Sequence, residues 1–93
     1  MKERLKKIVF DTIVEFNGDN GGDFKLSPQL KSDLIGPKSE IDSVALITLL
    51  VNIEKNVNKI LKKKIVIADE KVFNDVKKIK TVGTLINHIN SKI

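Results

Sequence analysis

Ile41-Asp42-Ser43-Val44-Ala45-Leu46-Ile47-Thr48-Leu49-Leu50-Val51-Asn52-Ile53-Glu54-Lys55-Asn56-Val57-Asn58-Lys59-Ile60-Leu61-Lys62 contains the most apolar segment of this chain and decides its fold. Val44, Ile47, Leu50, Val51, Glu54, Val57 and Leu61 recur three and four apart, which sets them along one side of an α-helix. Ala45, Leu46, Leu49 and Ile53 widen that face, so the spacing predicts a central helix that opens at Asp42-Ser43 and runs to about Lys62. Ser39 and Asp42 lie three apart, and either offers an oxygen that could cap the unpaired N–H groups at its start.

Upstream, Leu5, Ile8, Val9, Ile13 and Phe16 form a second stripe at helical spacing, with lysines and acids on the other side, which predicts a helix over Lys2 to Phe16. Asn17 to Asp23 holds three glycines and reads as a loop, because glycine loses the most backbone freedom on ordering. Ser27-Pro28 has the form of an N-cap followed by proline at the first helical position, predicting one or two helical turns with Leu30 and Leu34 on a common apolar face. Ile35-Gly36-Pro37 would end them. The connection from Asn17 to Ile41 is long for so small a domain, a length that usually accompanies function or mobility.

Downstream, Ile65-Val66-Ile67 is a β-branched run without a second strand to pair with, and reads as an extended connector. Asp69 is expected to cap a short helix to about Asn74 that presents Val72 and Phe73. Thr81 is expected to cap a last helix whose inward stripe is Val82, Leu85, Ile86, Ile89 and Ile93. These segments predict an all-α bundle of three longer helices and one short one, in a single domain over residues 1–93.

Composition narrows the function classes. Ninety-three residues, 41% hydrophobic, support one core but not a wrapped, many-residue catalytic cleft. With no cysteine there is no disulfide framework and no cysteine zinc site, and a reduced cytoplasmic setting is expected. The apolar runs Val44 to Ile47 and Leu49 to Val51 are far shorter than a membrane span, and the lysine-rich start has no signal-peptide core, so no stable membrane insertion is expected. The net charge of +5 is compatible with nucleic acid, an anionic membrane or an acidic protein face and selects none of them.

Three motifs carry a resemblance. Ile41-Asp42-Ser43-Val44, at the head of the second long helix, resembles the Asp-Ser-Leu motif of acyl carrier proteins. Ile65-Val66-Ile67-Ala68-Asp69-Glu70 resembles that family's apolar connector ending in an acidic cap, and Thr81-Val82-Gly83-Thr84-Leu85 its entry into the final helix. The similarity covers most of Met1 to Ile93, and implies a right-handed four-helix bundle with a long first loop.

The resemblance also implies a chemistry. A phosphopantetheinyl transferase would move the phosphopantetheine arm of coenzyme A onto Ser43, with Asp42 helping that enzyme and its Mg²⁺ position the serine. The arm supplies the thiol that a chain without cysteine lacks, and acyl-loading and acyl-transferring enzymes would use the thioester. A helix start suits the phosphate, since its unpaired N–H groups and dipole favour an anion. Val44, Leu46, Ile47, Val51, Ile65 and Ala68 lie where family members line an acyl pocket, although apolar residues at helical spacing are core by default. The resemblance further implies a monomer that is not itself an enzyme and binds no nucleic acid.

Two departures stand out. The motif has Val44 where leucine or methionine is usual. The second helix, acidic in most such carriers, here has Glu54 alone against Lys55, Lys59 and the run Lys62-Lys63-Lys64.

Other readings are weaker. Ser43 has no adjacent base to activate it as a hydrolytic nucleophile; the only histidine, His88, is on the last helix, off its apolar stripe, and reads as a solvated side chain. Asn17, Asp19, Gly22 and Asp23 follow a calcium-loop pattern that fails at its twelfth place, Pro28, where a bidentate glutamate is required. An aminoacyl or peptidyl carrier shares the fold and the serine. A basic helical module that uses Lys59 to Lys64 to bind nucleic acid or an acidic protein is the alternative from another class.

Overall fold

The computed structural model describes residues 2–19, 26–36, 43–68 and 79–93. Within them the chain is all-helical, with three helices and no strand: α1 (Lys2–Asp19), α2 (Ser43–Leu61) and α3 (Val82–Lys92). The short helix expected from Asp69 to Asn74, the Asn20 to Asp23 part of the glycine-rich loop, and the candidate caps Ser39 and Asp42 lie outside the described residues.

α1 buries Leu5, Ile8, Val9, Ile13 and Phe16, the stripe its spacing predicts, and packs against both other helices. It runs past Phe16 to Asp19 because Asn17 fastens its end. The Asn17 Nδ2 donates to the Leu26 carbonyl at 2.8 Å, and its Oδ1 accepts from the Leu26 N–H at 3.0 Å. Asn17, the first residue of the calcium-like pattern, is therefore occupied in holding the loop.

α2 begins at Ser43 and buries Ala45, Leu46, Leu49, Leu50, Ile53 and Val57. The inward face is rotated from the one the sequence predicts: Val44 and Ile47 point outward, at 71% and 46% exposure. A buried polar link fixes α2 on α1. The Thr12 hydroxyl, 1% exposed, donates to the Ile8 carbonyl at 2.7 Å and accepts from Asn56 Nδ2 at 2.8 Å. After Leu61 the chain turns through Lys62 in the left-handed region (φ 55°), and the Lys63 N–H reaches back to the Asn58 carbonyl at 3.1 Å, a helix-ending bond that usually takes glycine at the turning position.

The segment at Ser27-Pro28 is not a helix. Gln29 N–H donates to the Ser27 carbonyl at 2.8 Å and the Ser32 hydroxyl to the same oxygen at 2.7 Å, which closes a tight turn. The carbonyls that would continue a helix serve α3 instead: Leu30 O accepts from Gly83 N–H at 2.8 Å and Ser32 O from Val82 N–H at 3.0 Å. Helix starts leave their first N–H groups without intrahelical partners, and this loop supplies acceptors for two of them. Leu34, donating its N–H to Lys80 O at 2.7 Å, is buried, while Leu30 is exposed, so the two do not share an apolar face.

Thr81 caps α3 as expected, through a reciprocal pair in which Thr84 N–H donates to Thr81 Oγ1 at 3.1 Å and Thr81 N–H to Thr84 Oγ1 at 2.9 Å. Val82, Leu85, Ile86 and Ile89 are buried, and Ile93 packs partly against the same core. Among the described residues no helix is long and apolar enough to cross a membrane.

Candidate functional site

Ser43 is the first residue of α2. Asp42, its proposed helper, lies outside the described residues. A residue in the first helical turn sits among backbone N–H groups that α-helical pairing leaves available, and at the positive end of the helix dipole.

The six apolar candidates divide into three groups. Leu46 is core, packed on the other helices. Val44 and Ile47 are solvent-facing and form, with half-buried Val51, a stripe at three- and four-residue spacing down the outer side of α2. Ile65 and Ala68 are half-buried on the connector and pack against the core. The residues that the resemblance gathers into one pocket lining are thus part core, part exposed surface and part strap.

Two side chains of α2 hold that strap. Asn58 clasps Ile65 twice, its Oδ1 accepting from the Ile65 N–H at 2.9 Å and its Nδ2 donating to the Ile65 carbonyl at 3.0 Å. One turn nearer Ser43, Glu54 Oε1 accepts from the Ile67 N–H at 2.6 Å and from the Ala68 N–H at 3.4 Å. Residues 65–68 therefore run back along α2, antiparallel to it, with Ile67 fully buried and Val66 turned out at 52% exposure. The extended connector read from Ile65-Val66-Ile67 is found, with no strand partner among the described residues.

Asn17, Thr12, Glu54, Asn56 and Asn58 carry the polar fastenings, and sequence reasoning assigned none of them that task. Their signal is a polar residue at the edge of an apolar helical stripe, where a side chain can reach a neighbouring backbone.

His88 departs from its expected solvated state: it is half-buried on α3, with Nε2 shielded from solvent. A shallow cleft beside α1 is lined by Phe10, Pro28 and Leu30 with Lys6 and Lys31, and the Lys6 ammonium stands 5.7 Å from the Phe10 ring centre. Among the described residues no group of three or more His, Asp or Glu side chains is placed to hold a metal ion. No family model matches the chain, and no curated protein and no solved structure matches it significantly.

Proposed function

We propose that this chain is an acyl carrier protein in which Ser43 bears phosphopantetheine and tethers an acyl group for biosynthetic enzymes. The observation that supports this reading best is that Ser43 opens α2, with Val44 beside it strongly exposed. The exposed Val44 offers a modifying enzyme a contact next to Ser43, and a helix start accommodates the phosphodiester that the serine would acquire. In the attachment step, Ser43 Oγ forms a bond to the pantetheine-side phosphorus of coenzyme A. The pyrophosphate bond breaks, adenosine 3′,5′-bisphosphate leaves, and the hydroxyl proton passes to a base of the transferase. Once attached, the arm supplies a terminal thiol that carries cargo as a thioester.

In this reading the segment from Asp69 supplies the short fourth helix of the bundle, and Asp42 assists the transferase. The chain itself does no catalysis. Aminoacyl or peptidyl cargo on the same serine is the nearest variant, and intact mass of the loaded protein distinguishes the cargoes. The exposed lysines of α2 favour, as a second reading, a basic interaction module that carries no arm.

The test is incubation with coenzyme A and a broad-specificity phosphopantetheinyl transferase, followed by intact mass. The expected result is a gain of one phosphopantetheine per chain, absent in Ser43→Ala. No gain with a folded protein and an active transferase contradicts the proposal.

A further inference from the structure

The outer side of α2 is chemically polarised. Val44, Ile47 and Val51 occupy its Ser43 end, and Lys55 and Lys59 continue the same three- and four-residue spacing toward Lys62, all three lysines exposed. From Val44 to Lys59 the row spans roughly 22 Å at helical rise. The strap adds to it, because clamping by Glu54 and Asn58 lays residues 65–68 alongside this helix and turns Val66 and Lys64 to solvent.

Among the described residues the face also has no compensating acid. Glu54 is the one carboxylate between Ser43 and Lys64, and its Oε1 is engaged by the amides of Ile67 and Ala68. Among the described residues the one ion pair is Lys7–Asp11, on α1, so Lys55, Lys59, Lys62 and Lys64 have no carboxylate partner there.

Resting on the reading of Ser43 as the arm's anchor, we propose that this face docks protein partners of acidic polarity. The partner would offer an apolar spot to Val44 and Ile47, and carboxylates to Lys55, Lys59 and Lys64. Charge complementarity of this kind steers encounter and suppresses like-charged partners.

Two other anionic surfaces fit less well. Single-stranded nucleic acid is bound by stacking as well as charge, and residues 43–68 contain no aromatic side chain. A membrane-surface helix carries its apolar stripe along its whole length, whereas in the outer row of α2 itself Val44, Ile47 and Val51 stand at one end and Lys55 and Lys59 at the other.

The test is a charge swap. One probe is a phosphopantetheinyl transferase with a basic carrier-docking face; the other is the same enzyme with the basic residues of that face changed to glutamate. With the wild-type chain, KM is expected to be about tenfold or more lower for the acidic probe, within the range by which charge steering alters association. The K55E/K59E variant should reverse the preference, and high salt should erase it. Far-UV circular dichroism checks that the variant is folded.

In parallel, the 15N-labelled Ser43→Ala chain is titrated with the acidic probe, and the amides of residues 44–66 are expected to shift. If Ser43 is modified equally well by both probes, the docking proposal falls and the carrier reading stands. If Ser43 stays bare but the acidic probe shifts these amides and K55E/K59E abolishes the shift, the carrier reading falls and the acidic-partner proposal stands. Binding to phosphatidylglycerol vesicles that depends on Lys55 and Lys59, with no preference between the two proteins, overturns it in favour of a lipid surface.

Discussion

Replacing Glu54 with alanine should loosen the strap without unfolding the bundle. Its carboxylate accepts from the Ile67 N–H at 2.6 Å and, more weakly, from the Ala68 N–H at 3.4 Å, and Ile67 is fully buried. A hydrogen bond to a charged acceptor contributes about 1.5–3 kcal/mol, and a buried donor left without a partner incurs a similar cost. Glu54 is only half-buried, so water can partly replace it, and a loss of about 2 kcal/mol is expected from that range. For a domain of this size, that corresponds to a Tm lowered by roughly 8–16 °C. Glu54→Gln keeps a neutral acceptor and should lose about half as much, since neutral hydrogen bonds are roughly half as strong. The chain has no Trp or Tyr, so urea unfolding is followed by far-UV circular dichroism. Exposed Glu15 on α1 provides the control, because Glu15→Ala removes the same charge without removing a hydrogen bond to the strap. If Glu54→Ala and Glu15→Ala both stay within about 0.5 kcal/mol of wild type, the ordinary range for surface changes, Glu54 does not hold residues 67–68.

The two helical glycines among the described residues should respond differently to alanine. Gly18 has nothing within 4 Å of an added Cβ, and Gly18→Ala should stabilise by up to about 1 kcal/mol in urea unfolding through helix propensity. At Gly83 the Cβ would sit 3.0 Å from the Leu30 carbonyl oxygen, itself bound to the Gly83 N–H, so Gly83→Ala should show none of that gain. Thr12→Val should destabilise by about 1–3 kcal/mol by leaving the Asn56 amide without its acceptor; adding Asn56→Leu should recover part of the loss, and strict additivity in the double-mutant cycle would argue against the link. Ser43→Ala should leave the unfolding free energy within about 0.5 kcal/mol of wild type while abolishing modification, which separates the anchor from the fold.

Periodicity sufficed for the all-helical class because the stripes of α1 and α3 are narrow: Leu5 to Phe16 and Val82 to Ile89 leave one way to face inward. α2 is different. Residues 44–47 and 49–51 are apolar almost all round, so spacing finds the helix but cannot choose its inner side. Packing against α1 makes that choice, putting Leu46 and Leu50 inside and Val44 and Ile47 outside. Ser27-Pro28 satisfies a local rule for starting a helix, but the N-terminus of α3 takes the carbonyls of Leu30 and Ser32, a non-local demand invisible to a local rule. Asn17 lengthens α1 in the same way, through a partner nine residues on. Of the candidate site, the position of Ser43 at a helix start was legible from the sequence. The clamps at Glu54 and Asn58 were not, because each depends on a chain reversal after Lys62 that brings distant backbone within reach.

The most direct test of the central claim is site-resolved mass spectrometry of the protein after transferase treatment. Trypsin should release residues 39–55 as one peptide, holding both Ser39 and Ser43 between Lys38 and Lys55. The account predicts that fragmentation of this peptide places phosphopantetheine on Ser43 alone. An unmodified peptide from folded protein, or an arm located on Ser39, would contradict it.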